Sequence, residues 1–108
     1  MTRWADPERI EAAVRSFAAE LRARRPEVRR VLWYGSWVNG IPTPSSDVDL
    51  CIIVDADNRP VRHRVPDYLP SRFPTGIDLT VLTEDELLDL RDRAPQWHEA
   101  ITSGVALT

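Results

Sequence analysis

Two carboxylates separated by a single residue are the feature of this sequence best suited to chemistry. Asp47 and Asp49 stand at the start of an apolar, β-rich segment that continues through residues 50–54. Because residues i and i+2 of a strand share one face and lie about 6–7 Å apart, both side chains can offer oxygen ligands to hard divalent cations. The spacing therefore predicts a metal site at the beginning of a strand.

A glycine-serine pair upstream of these aspartates predicts an anion-binding turn. Gly35 and Ser36 follow a segment rich in β-branched and aromatic residues, and Gly40 comes shortly after them. A tight turn of this composition presents backbone N–H groups and a hydroxyl to an anion. Glycine also lets a phosphate approach the backbone without a Cβ in the way. An anion site beside a metal site is what chemistry on a nucleoside triphosphate requires.

A third carboxylate, Asp78, lies in another predicted strand, on the face opposite its aliphatic residues. If the two strands are neighbours, Asp47, Asp49 and Asp78 converge on one patch. Three carboxylates so close repel one another, and divalent cations would let them coexist in the ionised form. Single aspartates at strand ends often mark no more than solvent exposure. A matched pair behind a Gly-Ser turn, with a third on another strand, favours a functional patch.

The elements that must position these residues can be read from periodicity and breaker residues. Asp6 and Pro7 predict the start of an amphipathic helix, as N-cap and first helical residue, and Thr83 to Glu86 form a capping box. The predicted helical segments are 6–25, a short turn at 36–40, one or two turns within 61–74, a helix from 84, and 97–103. The predicted strands are 28–34, 47–54 and 76–82. This order predicts an α/β (α+β) fold.

Residues 35–50 resemble the signature of the DNA polymerase β-like nucleotidyltransferase superfamily. They contain Gly-Ser, three residues, Gly, five residues and then Ser-Asp-x-Asp-Leu. Within that superfamily the chain is similar to the minimal nucleotidyltransferases (MNT), stand-alone small domains often encoded beside a HEPN-domain partner. The resemblance implies that residues 1–108 form a single domain of the nucleotidyltransferase fold, with a small mixed β-sheet flanked by helices.

The resemblance also implies roles for individual residues. Asp47 and Asp49 would hold two Mg²⁺ ions against the triphosphate of ATP or another NTP. Asp78 would complete the second metal site and help to deprotonate the incoming hydroxyl. The residues assigned to nucleotide binding are Gly35, Ser36 and Ser46, of which the first two would bind the outer phosphates.

The segment after Gly-Ser departs from the pattern of the superfamily. Members often carry an arginine there, whereas this chain has the uncharged residues 37–39. The triphosphate must therefore rely on metals, backbone amides or a distant arginine. Arg62, Arg64 and Arg72 are the candidates, because the segment between the second and third predicted strands could border the cleft.

The sequence is compatible with three functions. The first is Mg²⁺-dependent transfer of a nucleoside monophosphate, AMP from ATP, to a hydroxyl on a partner protein, as the antitoxin of a HEPN/MNT-type toxin-antitoxin pair. The second is a non-catalytic module that neutralises or scaffolds a partner. The third is transfer to a small molecule, as in relatives of kanamycin nucleotidyltransferase, which usually need an extra domain to hold the acceptor.

Composition narrows the class of protein further. The formal charge of −3 argues against binding to a nucleic-acid backbone. No apolar run reaches the length of a membrane span, and the single cysteine, Cys51, fits a reducing cytoplasm. The absence of lysine excludes a P-loop ATPase. The modest core expected of 108 residues leaves a homo- or hetero-oligomer open.

Three further residues receive structural predictions. Asp57 lies in a turn-forming segment with no anion loop before it, so it is predicted to be a solvated turn former. Trp33 is predicted to lie in the core. Trp37, beside the Gly-Ser turn, could instead stack on a base or a partner.

Overall fold

Four strands form the sheet at the centre of the computed structural model, which describes residues 6–43 and 46–107. The strands are β1 (Val28–Tyr34), β2 (Val48–Val54), β3 (Ile77–Thr83) and β4 (Val105–Leu107), in the spatial order β3-β2-β1-β4. β1 is antiparallel to both β2 and β4, whereas β2 and β3 are parallel. The predicted small mixed sheet is thus confirmed.

Five α-helices in this part of the chain flank the sheet. They are α1 (Pro7–Arg24), α2 (Ser36–Asn39), α3 (Val61–Arg64), α4 (Glu84–Arg93) and α5 (Pro95–Thr102), and a 3₁₀ turn at Val65–Asp67 follows α3. Asp6 caps α1 by accepting a hydrogen bond from the Glu8 N–H at 3.0 Å, as its position before Pro7 predicts. None of the helices in residues 6–43 and 46–107 combines the length and apolarity needed to cross a membrane.

Helices cover both faces of the sheet, which gives two apolar cores. The first core lies between the sheet and α1 and includes Val14, Leu50 and Ile52. The second lies on the opposite face and includes Cys51, Ile53, Leu82, Leu87 of α4 and Ile101 of α5. The sequence placed the aspartates on this second face of β2, but it gave no sign that α4 and α5 bury the rest of that face. The carboxylates are therefore confined to the end of the sheet where β2 and β3 begin.

The terminal strand β4 was not predicted. Its three residues are too few for alternation to be recognised. The strand forms because Val105–Leu107 pair with the edge of β1 at Val31–Trp33. Gly104 makes this return possible, since a Cβ at that position would collide with the Trp33 carbonyl oxygen. Trp33 itself lies in the core, as predicted.

Arg64 is buried in an ion-pair network at the end of the sheet where β3 finishes. Its guanidinium donates to both carboxylate oxygens of Glu86, at 2.6 and 2.9 Å. It also donates to the backbone carbonyls of Val81, Asp57 and Arg59. The candidacy of Arg64 as a triphosphate ligand is therefore wrong, because the fold uses all of its donor nitrogens.

Neighbouring arginines lower the pKa values of two carboxylates around Arg64. The hydrogen bond from Arg64 is the main reason that the pKa of Glu86 is lowered from its ordinary value of 4.5. Asp57 has a side chain only 9% exposed and accepts from Arg59, whose hydrogen bonds lower the pKa of Asp57. The prediction that Asp57 is solvated is wrong, because arginines cover its carboxylate. Its predicted role as a turn former is confirmed, since it accepts a 2.9 Å hydrogen bond from the Arg59 N–H.

We expect Arg64→Ala to lower the free energy of unfolding by about 2–4 kcal/mol, because it removes the charge that pairs with Glu86 and the hydrogen bond that the buried Val81 carbonyl accepts from Arg64. Urea denaturation followed by circular dichroism measures this change. Arg30→Ala is the matched control: Arg30 also makes a bidentate pair, with Glu84, but both side chains are about half exposed, so the cost should stay below about 1 kcal/mol. Equal losses in the two variants would contradict a structural role for the buried network.

Candidate active site

The parallel pairing of β2 and β3 brings two of the predicted site residues side by side. Asp49 pairs directly with Asp78 in the register of these strands, and paired residues of adjacent strands project to the same face. Asp49 is half-buried, whereas Asp78 is exposed at the rim. The condition set by the sequence, that the two strands be neighbours, is confirmed.

The glycine of the Gly-Ser turn lies directly against Asp49. Tyr34, the last residue of β1, pairs with Asp49, so the chain turns at Gly35 immediately above that carboxylate. Gly35 has φ +89° and ψ −161°, a backbone conformation that is essentially restricted to glycine. A Cβ at this position would collide with Asp49 Oδ2. Only glycine can therefore join β1 to α2 while Asp49 keeps its place.

A second glycine holds the other member of the aspartate pair. A Cβ on Gly76 would collide with Asp47 Oδ1, and the Gly76 carbonyl accepts a 2.9 Å hydrogen bond from the Val48 N–H. Gly76 was predicted only as the first residue of a strand, so its place against a site carboxylate was missed. Nothing in the local pattern marks it, because the contact joins residues 29 positions apart along the chain.

Ser46 braces the loop that leads into β2. Its hydroxyl accepts a hydrogen bond from the Thr43 N–H at 2.8 Å, and its carbonyl accepts from Trp37 Nε1 at 3.1 Å and from the Thr75 hydroxyl at 3.3 Å. Trp37 is partly buried and packs against the core on the α1 side. Trp37 thus supports the loop beside the Gly-Ser turn. Together these contacts hold the backbone of Ser46 in place immediately before Asp47.

The electrostatics of the patch show that its carboxylates act on one another. The pKa of Asp49 is raised from its ordinary value of 3.8, first by burial and then by the negative charges of Asp78 and Asp47. The pKa of Tyr34 is also raised, mainly by burial, and the charges of Asp49 and Asp78 add to the shift. The carboxylate of Asp49 thus lies within the electrostatic reach of both other aspartates, and a positive ligand would relieve that repulsion. We call the three aspartates the acidic patch.

The aspartates supply the oxygen ligands that magnesium prefers. Within residues 6–43 and 46–107, no group of three or more His, Cys, Asp or Glu side chains stands at the spacing of a ready-made metal site. Asp47 and Asp49 instead rest against different glycines, Gly76 and Gly35. The donor chemistry of these side chains and the negative charge that its neighbours place around Asp49 fit divalent cations.

Tyr34 connects the patch to α5. Its hydroxyl accepts a hydrogen bond from Trp97 Nε1 at 3.3 Å, and Trp97 is 40% exposed. The sequence places residue 97 only at the start of the last predicted helix, 97–103. The contact places an indole next to the tyrosine that pairs with Asp49, which alternation alone could not show.

Arg72, another candidate for contact with the triphosphate, lies on the α1 side of the sheet. It lines cavities whose walls include Arg9, Phe17 and Phe73 and none of the three aspartates. The structure does not bring Arg72 to the Gly-Ser turn through these cavities.

Comparisons with known proteins concern the family and the fold of the chain. A family model described as the nucleotidyltransferase domain matches residues 14–103. The fold is similar to the crystal structure of a candidate nucleotidyltransferase from Sulfolobus solfataricus, with a TM-score of 0.63 and 19% sequence identity over 93% of this chain and 80% of the other. At that identity the likeness shows the fold alone. No protein of curated function matches the sequence.

We expect Asp78→Asn to lower the pKa of Asp49 toward its ordinary value, because the variant removes a neighbouring negative charge. A pH titration followed by carboxyl ¹³C NMR measures the shift. Folding raises this pKa, so the ionised Asp49 costs stability at neutral pH, and that cost disappears as the pH falls below 3.8. Asp85→Asn, at an exposed position of α4, is the control. An Asp49 titration that responds equally to both variants would contradict direct coupling to Asp78.

We expect Gly35→Ala to lower the free energy of unfolding by about 1–3 kcal/mol, because alanine is strained at this backbone conformation and its Cβ would displace the Asp49 carboxylate. Gly40→Ala is the control, since Gly40 has φ −124° and the nearest atom to an added Cβ is Ser36 Cα at 3.2 Å. Urea denaturation of both variants tests the difference. A Gly35→Ala variant as stable as Gly40→Ala would show that the turn tolerates a side chain.

Proposed function

The chain belongs to the nucleotidyltransferase domain family, and from that premise we propose that it is a Mg²⁺-dependent enzyme that transfers AMP from ATP to a hydroxyl group of a partner protein. Its reaction class is nucleotidyl transfer. The finer proposal extends to a single minimal nucleotidyltransferase domain over residues 1–108 that acts on a HEPN-domain protein as the antitoxin of a toxin-antitoxin pair.

One observation carries the proposal: Asp49 lies between the Gly35 turn and Asp78. A triphosphate held at the turn would have its reacting phosphorus beside carboxylates that already repel one another. The first helical hydrogen bonds of α2 run from Val38 and Asn39 to the Gly35 carbonyl. The Ser36 N–H precedes them at the helix start, where backbone donors lack helical acceptors.

Each side chain of the patch has a part in the proposed transfer. Asp47, Asp49 and Asp78 would hold two Mg²⁺ ions, and bound magnesium supplies charge neutralisation and stabilises the attacking and leaving oxygens. The Gly35 turn offers backbone N–H groups to the outer phosphates, and the Ser36 hydroxyl donates to one of them. Ser46 holds the loop before Asp47 in place, and its contribution to nucleotide binding stays a prediction.

The proposed reaction balances within the site. The acceptor oxygen forms a bond to the α-phosphorus, while the bond from that phosphorus to the bridging oxygen breaks and pyrophosphate leaves with the electron pair. The hydroxyl proton passes to the carboxylate of Asp78. The exposure of Asp78 at the rim suits this role, because the acceptor approaches from outside while Asp49 stays half-buried beneath the nucleotide.

A macromolecular acceptor suits the open position of the patch. Asp47 and Asp78 are exposed, and the cavities along α1 include neither of them. A protein segment can bring its own hydroxyl to such a rim, whereas a small acceptor needs walls to orient it. The net charge of −3 argues against a nucleic-acid acceptor. Resemblance to the minimal nucleotidyltransferases supports a HEPN-domain partner.

A non-catalytic module that neutralises its partner by binding is the second candidate. Two observations favour it: the described residues contain no ready-made metal cluster, and the segment after Gly-Ser has no arginine. On this alternative, the aspartates contribute only negative charge to the surface that contacts the partner.

We expect Asp49→Asn to weaken Mg·ATP binding at least about 10-fold and to slow transfer at least about 100-fold, because a ligand that acts in the transition state is lost. Calorimetric titration with Mg·ATP measures the first effect. Transfer of label from [α-³²P]ATP to the co-purified partner measures the second. Asp85→Asn is the matched control, since it removes an equal charge from an exposed position on α4.

The possible results separate the two candidates. Undiminished transfer by Asp49→Asn would exclude the proposed role of this carboxylate. Absence of Mg·ATP binding by the folded wild-type protein, both alone and with its partner, would favour the binding module. The binding-module alternative also requires that Asp49→Asn neutralise the partner to the same extent as the wild-type protein.

A further inference from the structure

Three adjoining cavities form a groove between α1 and residues 69–74, here called the α1 groove. Their volumes are about 480, 400 and 230 Å³, and Arg72 lines all three. Phe17 of α1 and Phe73 form its apolar side, with ring centroids 6.4 Å apart in an edge-to-face contact. Arg9 lines one cavity and Arg24 another. The groove therefore follows α1 for most of its length.

The arginines of the groove differ from most others in the described residues. Many arginines there are held by carboxylates or backbone carbonyls, as in the pairs Arg29–Asp55 and Arg30–Glu84. Arg9, Arg24 and Arg72 make no hydrogen bond or salt bridge with any residue in ranges 6–43 and 46–107. One carboxylate, Glu20, also lines the groove, so cationic side chains outnumber anionic ones there in a chain whose net charge is −3.

The length of the groove indicates the kind of ligand it fits. Arg9 and Arg24 are fifteen residues apart on one helix, a distance of about 22 Å at a rise of 1.5 Å per residue. An extended peptide advances about 3.3 Å per residue, so about seven residues span the groove. Phe73 and the adjacent Pro74 supply apolar contacts between the charges.

One end of the groove approaches the acidic patch. Pro74 lines the groove and lies two residues before Gly76, against which the Asp47 carboxylate rests. Two residues span at most about 7 Å. A peptide seated along α1 would therefore have one end beside the proposed site of transfer.

We propose that the α1 groove binds an extended acidic segment of about seven residues from the protein acceptor. The identity of this partner as the acceptor rests on the proposed function, whereas the charge and shape of the groove do not. Glutamates or aspartates of the segment pair with Arg9, Arg24 and Arg72, and the apolar residues between them contact Phe73. The net charge of −3 disfavours a continuous phosphate backbone, and the apolar side formed by Phe17 and Phe73 fits the apolar residues of a peptide, so the occupant is a peptide and not a nucleic acid.

A direct binding measurement tests the groove. The probe is a fluorescein-labelled octapeptide of alternating Glu and Leu, and the readout is fluorescence anisotropy with the full chain. We expect saturable binding that weakens with added salt and that falls at least about 10-fold in the double variant Arg9→Glu/Arg24→Glu. The matched control is Arg62→Glu/Arg91→Glu, which makes the same charge change at two arginines outside the groove and should bind the peptide as the wild-type protein does.

Several results would overturn the proposal. They are no binding of the Glu-Leu peptide by the wild-type protein, equal binding of a Gln-Leu peptide, and equal losses in the two double variants. Tighter binding of a labelled oligouridylate of eight nucleotides would instead identify the groove as a nucleic-acid site.

A second pair of measurements separates this proposal from the proposed function. Asp49→Asn should lose Mg·ATP binding and keep peptide binding. Arg9→Glu/Arg24→Glu should lose peptide binding and keep Mg·ATP binding. Mg·ATP binding that Asp49→Asn leaves unchanged counts against the nucleotide site. Peptide binding that Arg9→Glu/Arg24→Glu leaves unchanged counts against the groove.

Discussion

The parallel pairing of β2 with β3 is the constraint on which the acidic patch depends. It sets Asp78 beside Asp49, and parallel neighbours require the chain to cross from one end of the sheet back to the other. Here the crossover carries Arg64, whose hydrogen bonds join it to β3 and to Glu86 at the start of α4. A buried arginine at one end of the sheet thus ties the crossover to β3, and the pairing of β3 with β2 positions two carboxylates at the other end.

That register places negatively charged carboxylates close together, and glycines leave the space in which two of them lie. Asp49 and Asp47 each lie against a glycine Cα, at Gly35 and Gly76, where any side chain would occupy the space of the carboxylate. The same crowding, together with burial, raises the pKa of Asp49. A positively charged ligand would relieve this repulsion, which links the packing of the turn to the chemistry proposed for it.

The two faces of the sheet differ in which helices cover them and in which surface they leave open. On one face, α4 and α5 cover the central part of β2 and leave open only the end that carries the aspartates. On the other face, α1 closes the larger core and forms the α1 groove with residues 69–74. Residues 74–76 join the two regions, so a segment bound along α1 and a nucleotide bound at the patch would meet near Gly76.

The sequence by itself determined the features whose causes are local. Asp6 with Pro7, the Thr83–Glu86 capping box and alternation along the strands specify elements within a few residues, and the nucleotidyltransferase motif is a matter of spacing. Tertiary structure alone decided that Gly76 meets Asp47, that residues 105–107 pair with β1, and that Arg64 is buried instead of facing the triphosphate. Each of these depends on contacts between segments far apart in the chain, and local propensity carries no information about which distant groups will meet.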